Sequence, residues 1–204
     1  MKIDEAPCVR IVDDEPAIQR LLGQIIAQSG LRFRCFETAE QFMSDDDLDQ
    51  PGCVLIDLNL NGLAGDDLVL WIRRQPKTIP IIIVTGSGSA LLAVKCIKGG
   101  AIDYLEKPIV PAELISCVQR GIAEDARQRK GMRETELHRE RFKTLSSRES
   151  EVFRFVSKGL SSKQIAIELD LSTRTIELHR AHVMHKMHVE SIADVVKIAF
   201  ALDL

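Results

Sequence analysis

Long apolar runs are missing from this 204-residue chain. The longest, such as Ile81-Ile82-Ile83-Val84, fall far short of the roughly 20 residues a membrane helix needs. A charged-then-apolar leader is also missing, so no secretory signal is expected. Cysteine pairs are absent: Cys8, Cys35, Cys53, Cys96 and Cys117 are odd in number, widely spaced and form no CxxC. A disulfide framework and a zinc knuckle are therefore both disfavoured. Neither charge dominates, since 27 basic and 30 acidic side chains leave a net −3, too weak to indicate a partner. What is present suffices for a core: 45% hydrophobic residues against 28% charged. The length suits one large domain or two small ones. A soluble, cytoplasmic protein with no membrane association is expected.

The charge is unevenly spread. Residues 1–123 carry 12 basic and 17 acidic side chains, whereas 124–143 carry 7 and 5. Residues 144–204 carry 8 of each and four of the five histidines. These shifts coincide with changes of pattern and suggest an acidic domain over 1–123, a charged helical linker over 124–139 and a small domain over 140–204. The charges from Glu124 to Lys143 recur with both signs at helical spacing and with no sustained apolar seam, which fits a solvated helix better than a coiled coil.

The first domain alternates strands and helices. Apolar β-type runs at 9–12, 32–36, 53–56, 79–84 and 103–106 are separated by helical patterns at 18–28, 39–43, 68–72, 91–97 and 112–122. Five βα repeats with apolar strands imply a doubly wound parallel sheet, flavodoxin-like and covered on both faces. Asp13-Asp14, Asp57, Thr85 and Lys107 each fall just past the C-terminal end of an expected strand. In open α/β sheets that edge is where ligands bind. Carboxylates converging there repel one another unless a cation neutralises them. An all-oxygen donor set suits Mg²⁺, a common partner of phosphate. A carboxylate in such a place can accept a phosphoryl group, with the lysine and threonine poised to meet its oxygens. Singly, each residue reads as a helix cap or a turn. Four at successive strand ends favour chemistry.

Val12-Asp13-Asp14-Glu15, Leu55-Ile56-Asp57-Leu58, Val84-Thr85-Gly86 and the run from Gly100 to Pro108 resemble the receiver domain of two-component response regulators. The resemblance covers about residues 6–123. It implies that Asp57 takes a phosphoryl group from a sensor histidine kinase, and that Asp13, Asp14, Asp57 and the Asn59 backbone carbonyl hold Mg²⁺. Thr85 and Lys107 would sense the phosphoryl group, and Tyr104 would rotate inward on activation. The chain departs from the family at Leu60-Asn61, where Met-Pro is usual, and at Ser87 and Ser89, where near relatives often carry His and Asp. Without the proline the loop after Asp57 has a freer backbone.

The last 60 or so residues read as four helices. Ser146 with Glu149, and Ser161 with Gln164, are capping-box signals; Ser172 caps a third helix to about Met187. A final amphipathic helix carries Ile192, Val195, Val196, Ala199 and Leu202. The second and third helices, joined by a short turn, fit a helix-turn-helix near 163–182. On the third helix Ile176, Val183 and Met187 face inward, while Arg174, Glu177, Leu178, Ala181 and His185 form an outer stripe suited to base edges. Lys163, Thr173, Thr175, His179, Arg180 and Lys186 are candidates for further DNA contacts, chiefly to phosphates. The histidines at 179, 182, 185 and 188 step by three, so they wind around the helix and cannot converge on one tetrahedral metal.

The stretches 145–152, 163–166 and 174–187 resemble the LuxR-type DNA-binding domain, in the variant carried by FixJ/NarL-class response regulators and nearest to the FixJ branch. The resemblance covers about residues 140–204. It implies that 173–187 enters the major groove of a near-palindromic operator and that the final helix pairs two protomers. The whole chain then reads as a transcription factor, not an enzyme. Phosphorylation would drive homodimerisation and DNA binding, with RNA polymerase as the downstream partner. A regulator that binds DNA without phosphate, using the receiver for docking, is the alternative. A Mg²⁺-dependent phosphatase ranks last, because the first strand ends Asp13-Asp14-Glu15-Pro16 and not in a DxDxT loop.

Overall fold

The computed structural model describes residues 6–45, 48–62, 64–75, 79–86, 94 and 97–204. The apolar runs form β1 (Cys8–Val12), β2 (Arg32–Phe36), β3 (Gly52–Asp57), β4 (Ile81–Thr85) and β5 (Asp103–Glu106). All neighbours pair in parallel, in the order β2-β1-β3-β4-β5. The chain reverses its winding between β1 and β3, which opens a crevice at their C-terminal ends. Between the strands lie α1 (Pro16–Gln28), α2 (Ala39–Met43) and α3 (Gly65–Arg73). The helix expected over 91–97 falls outside the described residues apart from Val94 and Ile97, and so do Ser87, Ser89 and Cys96.

Successive strand residues point to opposite faces, and both faces are buried. Val12, Val54, Ile56, Ile81 and Ile83 pack with Phe42, Leu68 and Ile72 on one side. Ile11, Leu55, Ile82 and Val84 pack with Leu22, Ile26, Leu114 and Val118 on the other. The two edge strands depart from this: β2 buries Phe36 alone and β5 buries Leu105 alone. One charged residue interrupts the apolar β1. Arg10 is wholly buried and sends its guanidinium to the carbonyls of Cys8 and Gln50, at 3.4 and 3.1 Å. Gly52 begins β3 with φ of 145°, and a Cβ there would lie 1.9 Å from the Cys8 carbonyl oxygen, so no side chain fits.

After β5 come α4 (Pro111–Lys143), α5 (Ser147–Ser157), α6 (Ser162–Leu169), α7 (Thr173–Met187) and α8 (Ile192–Ala201). The charged stretch 124–139 is helical throughout, as part of α4. Asp125, buried on that helix, accepts the Gly52 N–H at 3.0 Å and so ties α4 to the start of β3. The chain divides into two compact units, residues 1–128 and 129–204. No described helix is long and apolar enough to cross a membrane.

In the second unit, reciprocal capping boxes at Ser146/Glu149 and Ser161/Gln164 start α5 and α6, and the Ser172 hydroxyl accepts the Thr175 N–H to start α7. The core gathers Val152, Phe153, Ile165, Ile176, Val183, Met187, Val195 and Ile198. Phe142, at the end of α4, meets Phe153 edge-on at 5.2 Å between centroids. The final helix buries Val195, Ile198 and Ala199, leaving Ile192 and Val196 49% and 43% exposed. Burial there follows the i, i+3, i+4 spacing of one helical face. The other apolar positions stand at i, i+4, i+8 on a second face, where Phe200 is 86% exposed.

Candidate functional site

The register of the sheet assembles the polar strand ends. Val12 pairs with Ile56, Asp57 with Val84 and Thr85 with Glu106. Asp13 therefore emerges beside Asp57, Thr85 one residue beyond its level, and Lys107 one residue further still. The Lys107 N–H donates to the Thr85 carbonyl at 2.8 Å, which fixes the lysine as it leaves β5. Gln19 on α1 donates its side-chain amide to the carbonyls of Asp13 and Phe36, at 2.7 and 3.1 Å. Gly65, at the start of α3, lets the chain close behind β3: a Cβ there would sit 2.4 Å from the Asp57 carbonyl oxygen.

Each aspartate turns one oxygen back to its own loop and the other to the lysine. Asp13 Oδ1 accepts the Glu15 N–H and Asp57 Oδ1 the Asn59 N–H, both at 2.9 Å. Lys107 Nζ bridges the remaining oxygens, 2.6 Å from Asp57 Oδ2 and 3.1 Å from Asp13 Oδ2. Glu15 Oε1 lies 3.7 Å from the same ammonium. Burial is the largest influence on Asp13 and raises its pKa, although the Glu15 N–H and Lys107 both stabilise the charge. For Lys107 burial acts the other way, and its bonds to Asp57 and Asp13 outweigh it, so the net shift is upward. The pair shifts this way because the Asp13 side chain is 2% exposed and that of Lys107 is 15%. The more deeply buried partner pays more desolvation.

Asp13, Glu15 and Asp57 each offer a carboxylate oxygen within 4.8 Å of the others. Around Mg²⁺, with oxygens at about 2.1 Å, opposite ligands stand about 4.2 Å apart. The donor set is all oxygen, and three carboxylates against one ammonium leave two negative charges for a divalent cation to neutralise. The residues fit Mg²⁺. Asp14 is not one of these three; its Oδ2 accepts the side-chain amide of Asn61. Glu15, which the sequence did not single out, lies in the cluster with Asp13 and Asp57. Its position directly after the Asp-Asp pair was the available signal. Asn59 is exposed, Thr85 is fully buried, and Tyr104 is half-buried against the apolar cluster under α2 and α3.

In the second unit the outer stripe of α7 is exposed at Arg174, Glu177, Leu178, Ala181 and His185, as is Lys163 on α6. Thr173 begins α7 half-buried. The Thr175 hydroxyl pairs with that of Ser172 at 2.7 Å, and His179 is half-buried. Arg180 reaches the Leu160 carbonyl at 3.4 Å. Lys186 differs most from its expected place. Its ammonium lies 2.6 Å from Glu149 Oε2 and 3.4 Å from the Thr144 carbonyl, so it pins α7 to the start of α5. The pairing with Lys186, then the Ser146 N–H, hold the Glu149 carboxyl down to a pKa of about 2.

The model of the response regulator receiver domain matches residues 9–119, and that of the luxR family of bacterial regulatory proteins matches 143–199. The chain belongs to the LuxR-type response regulators. The protein TodT of Pseudomonas putida is 34% identical over 195 residues, covering 96% of this chain and 86% of its own. The transcriptional regulatory protein FixJ of Rhizobium meliloti is 33% identical and covers 95% of each chain. Among solved structures, the response regulator StyR superposes with a TM-score of 0.78 at 28% identity, covering 96% of this chain and 99% of its own. Full-length FixJ from B. japonicum gives 0.57 at 33% identity, with 97% of both chains covered. This response regulator therefore pairs a five-stranded receiver with a helix-turn-helix DNA-binding unit and acts in transcription regulation. A sensor kinase and DNA are its two classes of partner.

Proposed function

We propose that Asp57 is the phosphoacceptor of a switch that controls dimerisation and operator binding. The observation that carries this reading is the Lys107 ammonium bridging Asp57 Oδ2 and Asp13 Oδ2 at the sheet's switch point. A histidine kinase would present a phosphohistidine: the P–N bond breaks as the Asp57 O–P bond forms, and the imidazole keeps the electron pair and takes up a proton. Mg²⁺, when bound, supplies charge neutralisation at the phosphoryl oxygens. Asp13, Asp14, Asp57 and the Asn59 carbonyl would hold it, with Glu15 beside them. Lys107 passes from Asp57 Oδ2 to a phosphoryl oxygen, and Thr85 donates its hydroxyl to another. Tyr104 follows inward and alters the surface around β5.

On the DNA side, α7 enters the major groove. Arg174, Glu177, Leu178 and Ala181 face base edges, while Lys163, Thr173, Thr175, His179 and Arg180 meet phosphates. Lys186 serves first as the brace to Glu149 and reaches a phosphate only if that pair opens. The exposed stripe Ile192, Val196 and Phe200 is the surface through which two copies pair on a near-palindromic operator. The dimer would work in the cytoplasm and act on RNA polymerase.

The test is intact mass and oligomeric state after acetyl phosphate with Mg²⁺, for wild type and Asp57→Asn. One added phosphoryl group and a shift to dimer, both absent in the variant, are expected. A wild type that gains no mass, while a control receiver does, favours DNA binding without phosphate.

A further inference from the structure

An asparagine ties the turn after β3 to the turn after β1. The Asn61 side-chain amide donates to Asp14 Oδ2. The bond thereby joins the two segments that carry the carboxylates of the acidic cluster, Asp13 and Glu15 on one and Asp57 on the other. Leu60, buried in the core under α2 and α3, anchors the chain just before Asn61. Gly62 turns it just after, with φ of 92°. The amide is therefore placed by a backbone held on both sides. Where the family usually has proline, this chain has a side-chain donor, which proline lacks.

The aspartates differ in what holds them. Asp13 Oδ1 accepts the Glu15 N–H, Asp57 Oδ1 accepts the Asn59 N–H, and Lys107 takes the second oxygen of each. Asp14 is half-buried and meets Asn61 as its one hydrogen-bond partner among the described residues. With Oδ2 so occupied, Oδ1 is the oxygen it offers to a cation. A hydrogen bond to the second oxygen of a ligating carboxylate orients that ligand, and losing such a partner typically weakens metal binding about 10–100-fold. A neutral amide does this without cancelling the negative charge that attracts the ion. We propose that Asn61 is a positioning residue for Mg²⁺, which fixes Asp14 and so raises the affinity of the site for the ion. This role rests on the proposed place of Asp14 among the Mg²⁺ ligands.

Mg²⁺ alone is the probe, added to the full chain at constant ionic strength. An ion that binds only the folded state raises the unfolding free energy by RT ln(1 + [L]/Kd), so urea midpoints at a series of Mg²⁺ concentrations give Kd. Trp71, the single tryptophan, lies in the receiver and reports the unfolding of that unit. Asn61→Ala should raise Kd at least about tenfold. Its metal-free midpoint should stay close to that of wild type, because position 61 is exposed. Asp14→Ala should also raise Kd, and adding Asn61→Ala to it should change Kd less than about twofold, since both act through one bond. An unchanged Kd in Asp14→Ala would remove Asp14 from the ligands and the proposal with it. If Asp14→Ala weakens binding, the ligand reading stands. In that case an unchanged or tighter Kd in Asn61→Ala, or an equal effect of the asparagine with and without Asp14, would overturn the role of Asn61 alone.

Discussion

Asp13 shows how a functional position and a stable one conflict within a single side chain. Its carboxylate is almost wholly removed from water, and burial raises its pKa despite the Glu15 N–H and Lys107. A carboxyl whose pKa is higher folded than unfolded favours folding in its protonated form, and opposes folding once pH rises above the folded value. At neutral pH the charge is therefore a cost, which the proposed Mg²⁺ would offset. Asp13→Asn mimics the protonated form, and Lys107 keeps Asp57 as partner at 2.6 Å. In metal-free buffer at pH 7 the variant should be more stable by about 1–2 kcal/mol, with Mg²⁺ binding weakened or lost. Urea unfolding with and without Mg²⁺ checks both parts. A less stable variant would mean that the lysine pair outweighs the desolvation.

Among the elements, the third helix of the DNA-binding unit is held by its ends. Its N-terminus is capped by Ser172, and its last turn carries Lys186, whose ammonium meets Glu149 in the capping box of α5. One carboxylate thus closes two devices, and a proton on it loosens both. The Glu149 pKa is depressed from its ordinary 4.5 to about 2, so its contribution is fully present above pH 4.5 and is lost as pH falls through about 2. Glutamine can still close a capping box but cannot pair with the ammonium. Glu149→Gln should lower the stability of the full chain by about 1–2 kcal/mol at pH 7 and flatten its decline between pH 4.5 and 2. Urea midpoints followed by helical circular dichroism across that range decide it. An unchanged pH profile would show that the pair contributes nothing.

For the molecule as a whole, the proposed pairing of two copies would turn a weak half-site contact into a strong one, because the second contact is made at high effective concentration. Ile192, Val196 and Phe200 form the exposed apolar face of α8 that would serve for this, and none of them belongs to the helical core. Phe200, at 86% exposure, contributes little to folding. Phe200→Asp should therefore leave the unfolding midpoint within about 0.5 kcal/mol of wild type while cutting affinity for a two-half-site operator at least about tenfold. Binding to a single half-site should be unchanged. Mobility-shift titrations on both DNAs separate these outcomes, and equal loss on both would place Phe200 in the DNA-binding fold itself.

Much was legible in the chain because it is encoded locally. A strand that is apolar on both faces announces a parallel, covered sheet, and a polar residue at its end announces the ligand edge. The caps at Ser146, Ser161 and Ser172 involve partners three residues away, and all three are present. What escaped the sequence lies between residues distant along the chain. The bond from Asn61 to Asp14 spans 47 positions, that from Lys186 to Glu149 spans 37, and that from Gly52 to Asp125 spans 73. Periodicity marks which positions of the last helix are apolar, but only packing selects Val195 and Ile198 over Ile192 and Val196. The sequence by itself determined the architecture, the strand ends where Asp13, Asp57, Thr85 and Lys107 fall and the helix-turn-helix pattern of the second unit, since these follow from backbone propensity and the pattern of burial. Only the tertiary structure decided which carboxylates share the lysine and which lysine is tied within the core's rim. Those outcomes depend on distances of a few ångströms between elements, which no one-dimensional pattern contains.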